Sequence, residues 1–120
     1  MPNIVLNTKP YVPTGVINGA SMFWEQSGGL VNAFSPLSAR VNYTGQKTNV
    51  AWKLTIPVVK PEDSACGCAG DVARTAIVDI TIRLDRDATS AERADIEKRI
   101  SDLVANAQFK ASITNLTLPA

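Results

Sequence analysis

The sequence predicts an α+β fold in which an antiparallel meander of about five strands precedes two C-terminal helices. The first observation is a series of segments in which apolar and polar residues alternate, as they do in half-buried strands. The second is a capped stretch near the C-terminus whose apolar residues recur with helical spacing.

Length and composition restrict the possible functions. A chain of 120 residues with 45% hydrophobic residues is long enough for one domain with its own core. The net charge of +1 predicts no strong overall field, so any contact with nucleic acid must come from a local patch. The sequence has no histidine, which removes the commonest general base and metal ligand. No signal peptide or membrane span is evident, so we expect synthesis in the cytoplasm.

The N-terminal third contains two short apolar runs, residues 4–7 and 18–26. Lys9-Pro10 is predicted to end the first run, and residues 12–15 to form a turn. Residues 33–36 are predicted to be a connection to the next strand.

A hairpin is predicted next, with strands at residues 38–44 and 49–56 and a turn at residues 45–48. One face of this hairpin is polar and carries Arg40, Asn42, Thr44, Asn49, Ala51, Lys53 and Thr55. The other face is apolar and carries Ala39, Val41, Tyr43, Val50, Trp52, Leu54 and Ile56. Pro57 is expected at a bulge or an edge position.

The last strand is predicted at residues 74–84, after a loop that contains Cys66 and Cys68. Its expected buried face consists of Ala76, Val78, Ile80, Ile82 and Leu84. Its expected polar face consists of Thr75, Ile77, Asp79, Thr81 and Arg83.

A helix is predicted to begin after Thr89, because Thr89 and Glu92 match a capping box. Its apolar stripe consists of Ile96, Ile100, Leu103, Val104 and Ala107. A second helical piece is expected at residues 109–116. Within one chain the sheet would keep a free edge and the stripe would lack a matching surface, so the pattern predicts a homodimer.

Several chemical interpretations stay open at this point. The two cysteines could be half of a zinc site, a redox pair, thiols that pair between subunits, or unpaired thiols. The zinc site lacks further ligands, and Cys-x-Cys differs from the usual redox spacing. Asp79 with Lys53 and Arg40 could form an acid–base group, but a flat sheet face is expected to offer no concavity. A small bacterial RNA-binding or redox protein that forms no shells is the alternative function.

The order of these segments resembles the coat proteins of small single-stranded RNA bacteriophages (leviviruses), nearest to the Q-beta type. The resemblance is carried by residues 51–56, the cysteines of the following loop, residues 74–82, the helix start at residues 89–93, and the C-terminal Asn115, Leu116, Pro119 and Ala120. It implies an N-terminal β-hairpin, a five-stranded antiparallel sheet and two helices, interlocked as a dimer with a continuous sheet. The single coat-protein domain, residues 1–120, then divides into sheet strands (1–60), cysteine loop (61–73), long strand (74–86) and helical dimerisation segment (89–118).

The resemblance also implies a function. Such a protein is a structural component of the virion and not an enzyme, it needs no cofactor or metal, and its dimers form an icosahedral T=3 shell around the genomic RNA. Its further partners would be an operator-type RNA hairpin, bound to repress replicase translation, and the phage maturation protein. The implied RNA-binding positions are Arg40, Asn42, Thr44, Asn49, Ala51, Lys53, Ile77 and Asp79.

Two further sets of residues follow from the resemblance. Cys66 and Cys68 would form inter-subunit disulfides, and the helical stripe would lie in the dimer interface. The chain departs from the family at Ile77, where a tyrosine often stacks on a base. Without that ring about 1–3 kcal/mol of stacking is lost, so tight operator recognition is not expected.

Overall fold

The computed structural model describes residues 2–26, 34–59 and 72–118. The chain divides into two compact units, Met1–Leu84 and Asp85–Ala120. The described strands are β1 (Ile4–Leu6), β2 (Lys9–Ile17), β3 (Ala20–Glu25), β4 (Ser35–Thr44), β5 (Lys47–Val59) and β6 (Val72–Asp85). The helices are α1 (Ser90–Ala105) and α2 (Ala107–Thr114).

The six strands form one sheet in the order β1-β2-β3-β4-β5-β6, so each strand pairs with its neighbour in the chain. The beginning of β2 pairs with β1, and the rest of β2 pairs with β3. Strand β2 therefore belongs both to an N-terminal hairpin and to the five-stranded part of the sheet, β2 to β6. This architecture confirms the predicted α+β fold.

Two of the predicted N-terminal breaks are wrong. Lys9 and Pro10 begin β2, because the chain has already turned at Asn7 and Thr8, whose φ angles of 50° and 65° are left-handed. Residues 12–15 are also part of β2. The register shifts between Pro13 and Gly15, so a β-bulge accommodates the proline and glycine that suggested a turn.

The β4–β5 hairpin confirms the predicted strands but extends them. Strand β4 begins at Ser35, so the connection expected at residues 33–36 ends earlier than predicted. Strand β5 continues to Val59 and includes Pro57. Leu37 pairs with Leu54, so Pro57 lies beyond the end of β4, and its missing N–H removes no hydrogen bond from that ladder.

The core of the sheet unit is small. Tyr11, Phe23 and Leu37 are buried together, and the partly buried residues packed against them are Ile4, Leu6, Trp52 and Leu54. A buried hydrogen-bond chain crosses this core. Ser35 Oγ donates to the carbonyl oxygen of Thr55 at 2.6 Å, so the Tyr11 hydroxyl, 2.8 Å away, donates to Ser35 Oγ. These two hydrogen bonds link β2, β4 and β5.

The predicted burial of one face of β6 is not found within the single chain. Val78 and Ile80 are 42% and 45% exposed, and only Ile82 and Leu84 are half-buried. Val41 and Tyr43, also placed on an apolar face by their alternation, are exposed as well. Alternation shows which side chains share a face, but burial also needs a second surface packed on that face, and the described residues of one chain do not cover it fully.

The helical unit begins as predicted, with Thr89 Oγ1 accepting a hydrogen bond from the backbone N–H of Glu92 at 3.2 Å. Asn106 ends α1 and caps α2, where its side chain accepts from the N–H groups of Gln108 and Phe109. Ala107 consequently belongs to α2 and does not continue the α1 stripe. No residue of either helix is fully buried, and neither helix is long and apolar enough to cross a membrane.

Candidate nucleic-acid interface

The strand register brings most of the predicted RNA-binding positions onto one side of the sheet. In the β4–β5 ladder Arg40 pairs with Ala51, Asn42 with Asn49, and Ser38 with Lys53. Directly paired residues of an antiparallel ladder project to the same side. The polar face, as we call it, consists of Ser38, Arg40, Asn42, Asn49, Ala51, Lys53, Asp79 and Thr81.

A depression lies within the polar face, with a volume of about 420 Å³. Its lining comes from four strands and consists of Ala20, Ser38, Arg40, Ala51, Trp52, Lys53, Asp79 and Thr81. The expectation of a face without concavity is therefore wrong. Small residues at positions 20 and 51 leave space between longer side chains, and this produces the hollow.

Arg40 is the most constrained charged side chain of the polar face. It is half-buried, and its Nη2 donates a hydrogen bond to the carbonyl oxygen of Asn18 at 2.8 Å. Asn18 belongs to the turn between β2 and β3, so the arginine spans from β4 across β3 to that turn. A guanidinium has five N–H donors, and the remaining donors stay available to a ligand.

Lys53 and Asp79 are both exposed on the polar face. Within the described part of the chain neither side chain makes an ion pair or a side-chain hydrogen bond. The ammonium group can therefore approach an anion such as a phosphate, and the carboxylate can accept hydrogen bonds from a base edge. Within the described residues no hydrogen bond joins Lys53 or Asp79 to a hydroxyl group, so the structure shows no nucleophile–base pair at this position.

The other predicted RNA-binding positions lie away from the depression. Asn42 and Asn49 pair farther along the hairpin, near its turn, and do not line the depression. Of Thr44 the structure describes the backbone, which pairs with Lys47. Ile77 is 57% exposed and lies two residues before Asp79 on the same side of β6.

Sequence reasoning missed Ser38, Thr81 and Ala20 as parts of this site. Ser38 and Thr81 alternate with Arg40 and Asp79, so the period of two already placed them on the polar face. Ala20 carries no polar group, so nothing in the sequence identified it as part of the site. The contribution of Asn18 is a backbone carbonyl, which no residue pattern reports.

The two remaining predicted sites have different outcomes. Cys66 and Cys68 lie outside the described residues. Of the predicted dimer-interface residues on α1, Ile96 and Ile100 are half-buried, whereas Leu103 and Val104 are 55% and 46% exposed. The described residues contain no group of three His, Cys, Asp or Glu side chains that could hold a metal ion.

Comparison with known protein families gives one match. The family model described as levivirus coat protein matches residues 3–119. No curated protein sequence matches the chain.

Several solved structures share the fold. A virus-like particle of bacteriophage ESE058 has a TM-score of 0.87 at 18% identity, over 100% of this chain and 99% of that chain. A virus-like particle of Beihai levi-like virus 21 has a TM-score of 0.85 at 17% identity, with coverages of 100% and 98%. The capsid protein of bacteriophage GA has a TM-score of 0.76 at 18% identity, with coverages of 95% and 94%. These likenesses cover between 95% and 100% of this chain.

Proposed function

Because the chain belongs to the levivirus coat protein family, we propose that two copies form an interlocked dimer, that dimers assemble into an icosahedral shell, and that the polar face binds the enclosed single-stranded RNA. Membership of the family establishes the structural role of the protein. The protein is a structural component of the virion capsid and not an enzyme.

The dimer is supported by what the single chain leaves uncovered. Strand β6 has 14 residues and is the last in the order of the described strands, so no described strand pairs with its outer edge. Two β6 strands side by side would give one continuous sheet and remove both edges. The exposed apolar side chains include Val41, Val78 and Ile80 of the sheet unit and Leu103 and Val104 of the helical unit. A helix of one copy on the sheet of the other would cover both groups at once.

RNA binding is supported by a single observation, the depression that Arg40, Lys53, Asp79 and Thr81 line. Two cations beside hydrogen-bonding groups suit a phosphate backbone with a neighbouring base. The net charge of the chain is only +1, so this local arrangement and not the overall field must attract RNA. We therefore expect the polar face to line the inside of the shell.

The same surface would bind an RNA hairpin to repress replicase translation, though with modest discrimination. Ile77 offers no aromatic ring on which a base could stack. Contacts to phosphates position an RNA without reading its sequence. Accordingly the polar face should bind many hairpins with similar affinity, and binding should weaken steeply as salt rises. The maturation protein is the remaining proposed partner.

Filter binding at two salt concentrations tests the proposal. Lys53→Ala should weaken binding of every hairpin about equally, whereas Lys98→Ala should not, because Lys98 lies on α1 and pairs with Asp102 at 3.4 Å. Electron microscopy of the recombinant protein should show closed shells. A stable monomer would refute the proposed assembly, and nanomolar, salt-insensitive preference for one hairpin would refute the electrostatic account of RNA binding.

A further inference from the structure

We infer that the β2–β3 turn, Asn18 and Gly19, positions Arg40 for RNA binding. The carbonyl oxygen of Asn18 accepts the hydrogen bond from Arg40 Nη2 at 2.8 Å, and Arg40 lines the depression of the polar face. The inference rests on the proposed RNA binding by that face. It adds a segment that carries no charge and that the resemblance to the family did not point to.

The geometry of the guanidinium makes this positioning effective. The group is planar, and its N–H donors have fixed directions, so one hydrogen bond to a backbone oxygen restricts the directions of the rest. A long exposed side chain normally loses rotamer freedom when it binds a ligand. Arg40 has already lost part of that freedom in the free protein, because the turn holds it. Arg40 should consequently bind a phosphate more strongly than a lysine or arginine side chain that no hydrogen bond holds in position.

The position of the Asn18 carbonyl depends on the left-handed backbone of the turn. The φ angles are 52° at Asn18 and 77° at Gly19, and the flanking residues Ile17 and Ala20 are paired. Asn-Gly is the sequence that favours such two-residue hairpin turns. A Cβ added at Gly19 would meet no atom within 4 Å, so a substitution there acts through backbone strain and not through a clash.

A double-mutant cycle tests the inference. Gly19→Val removes the glycine from the turn, Arg40→Ala removes the arginine, and the third protein carries both changes. The probe is a fluorescently labelled RNA hairpin with one unpaired base. We expect each single change to weaken binding about tenfold, the scale of a lost hydrogen bond to a charged group. The double variant should bind no more weakly than Arg40→Ala, because the turn acts through the arginine.

A control separates this effect from general damage to a turn. Gly45, in the β4–β5 turn, also has a left-handed φ of 55° and nothing within 4 Å of an added Cβ. Gly45→Val therefore carries a similar strain without touching the Asn18 carbonyl, and its binding should change less than that of Gly19→Val. If Gly19→Val does not assemble, Arg40→Lys provides the test, because this variant keeps the positive charge and loses the planar guanidinium. Arg40→Lys should bind the RNA hairpin several-fold more weakly than the unchanged protein.

The outcomes are distinct. The inference would be overturned if Gly19→Val lowered the affinity for RNA equally with and without Arg40. It would also be overturned if Gly19→Val left the affinity unchanged, or if Arg40→Lys bound with full affinity. If Lys53→Ala weakens binding while Gly19→Val behaves like Gly45→Val, the polar face binds RNA and only the positioning role fails. If neither Lys53→Ala nor Arg40→Ala affects binding, the proposed RNA surface itself is wrong.

Discussion

Replacing Leu103 with Asp should abolish both dimers and shells. Leu103 lies on the apolar stripe of α1 and is 55% exposed in the single chain, so about half of the side chain remains to be covered by a partner. Full burial of a leucine contributes about 1.5–3 kcal/mol, so covering that half contributes roughly 0.8–1.5 kcal/mol per copy. A symmetric dimer contains the contact twice, which brings the hydrophobic loss to about 1.5–3 kcal/mol.

The carboxylate adds a larger penalty. Moving an unpaired charge from water into an interface costs several kcal/mol per ion. Together the two terms exceed about 5 kcal/mol, which corresponds to more than a thousandfold weaker dimerisation. Leu103→Ala, which loses the apolar contact alone, should weaken dimerisation by only about tenfold to a hundredfold.

Sedimentation at several protein concentrations measures the dimer, and electron microscopy measures the shells. The matched control is Ala94→Asp, which introduces the same charge on the other side of α1, at an exposed position four residues before Lys98. This control should dimerise normally. If Leu103→Asp forms dimers and shells as readily as Ala94→Asp, the interlocked dimer is wrong.

Three further predictions follow from other features. Tyr11→Phe should lower the free energy of unfolding by about 0.5–1.5 kcal/mol in denaturant titrations, whereas Tyr43→Phe, at a hydroxyl that makes no hydrogen bond within the described part of the chain, should change it less. Ile77→Tyr should tighten binding to hairpins that present an unpaired base, with a gain of up to about 1–3 kcal/mol in filter binding, and should leave fully paired RNA unaffected. Oxidised particles should show disulfide-linked multimers on non-reducing gels through Cys66 and Cys68, and reduction should lower their melting temperature; a gel with monomer alone would contradict inter-subunit pairing.

The strands and the α1 cap were predictable because their signals are local. A period of two places Arg40 and Asn42 on one side of β4, and Ile77 and Asp79 on one side of β6, whatever the rest of the chain does. Thr89 caps α1 through a contact within one turn of helix. The N-terminal breaks were not predictable in the same way. Pro13 and Gly15 have the composition of a turn, but pairing with β3 converts them into a bulge inside a strand. Tertiary pairing overrode the local preference there.

The candidate site also combines features that the local sequence predicts with features that depend on tertiary structure. Its charged members, Lys53 and Asp79, were identified from strand alternation and from the resemblance to the family. The depression depends on four strands lying side by side, and no single segment encodes it. The hydrogen bond from Arg40 to Asn18 joins residues that are 22 apart in the sequence and involves a backbone atom, so only the folded chain reveals it.

The proposed dimer would tie the stability of this protein to its concentration. Val78 and Ile80 are exposed in the single chain, so they would add their remaining hydrophobic stabilisation only when a second copy covers them. The protein's midpoint of thermal unfolding should therefore rise with protein concentration, as mass action requires for an obligate dimer. In an infected cell, coat protein made early and at low concentration would be the least stable population. Accumulation of the chain would thus stabilise its fold and begin its assembly in the same step.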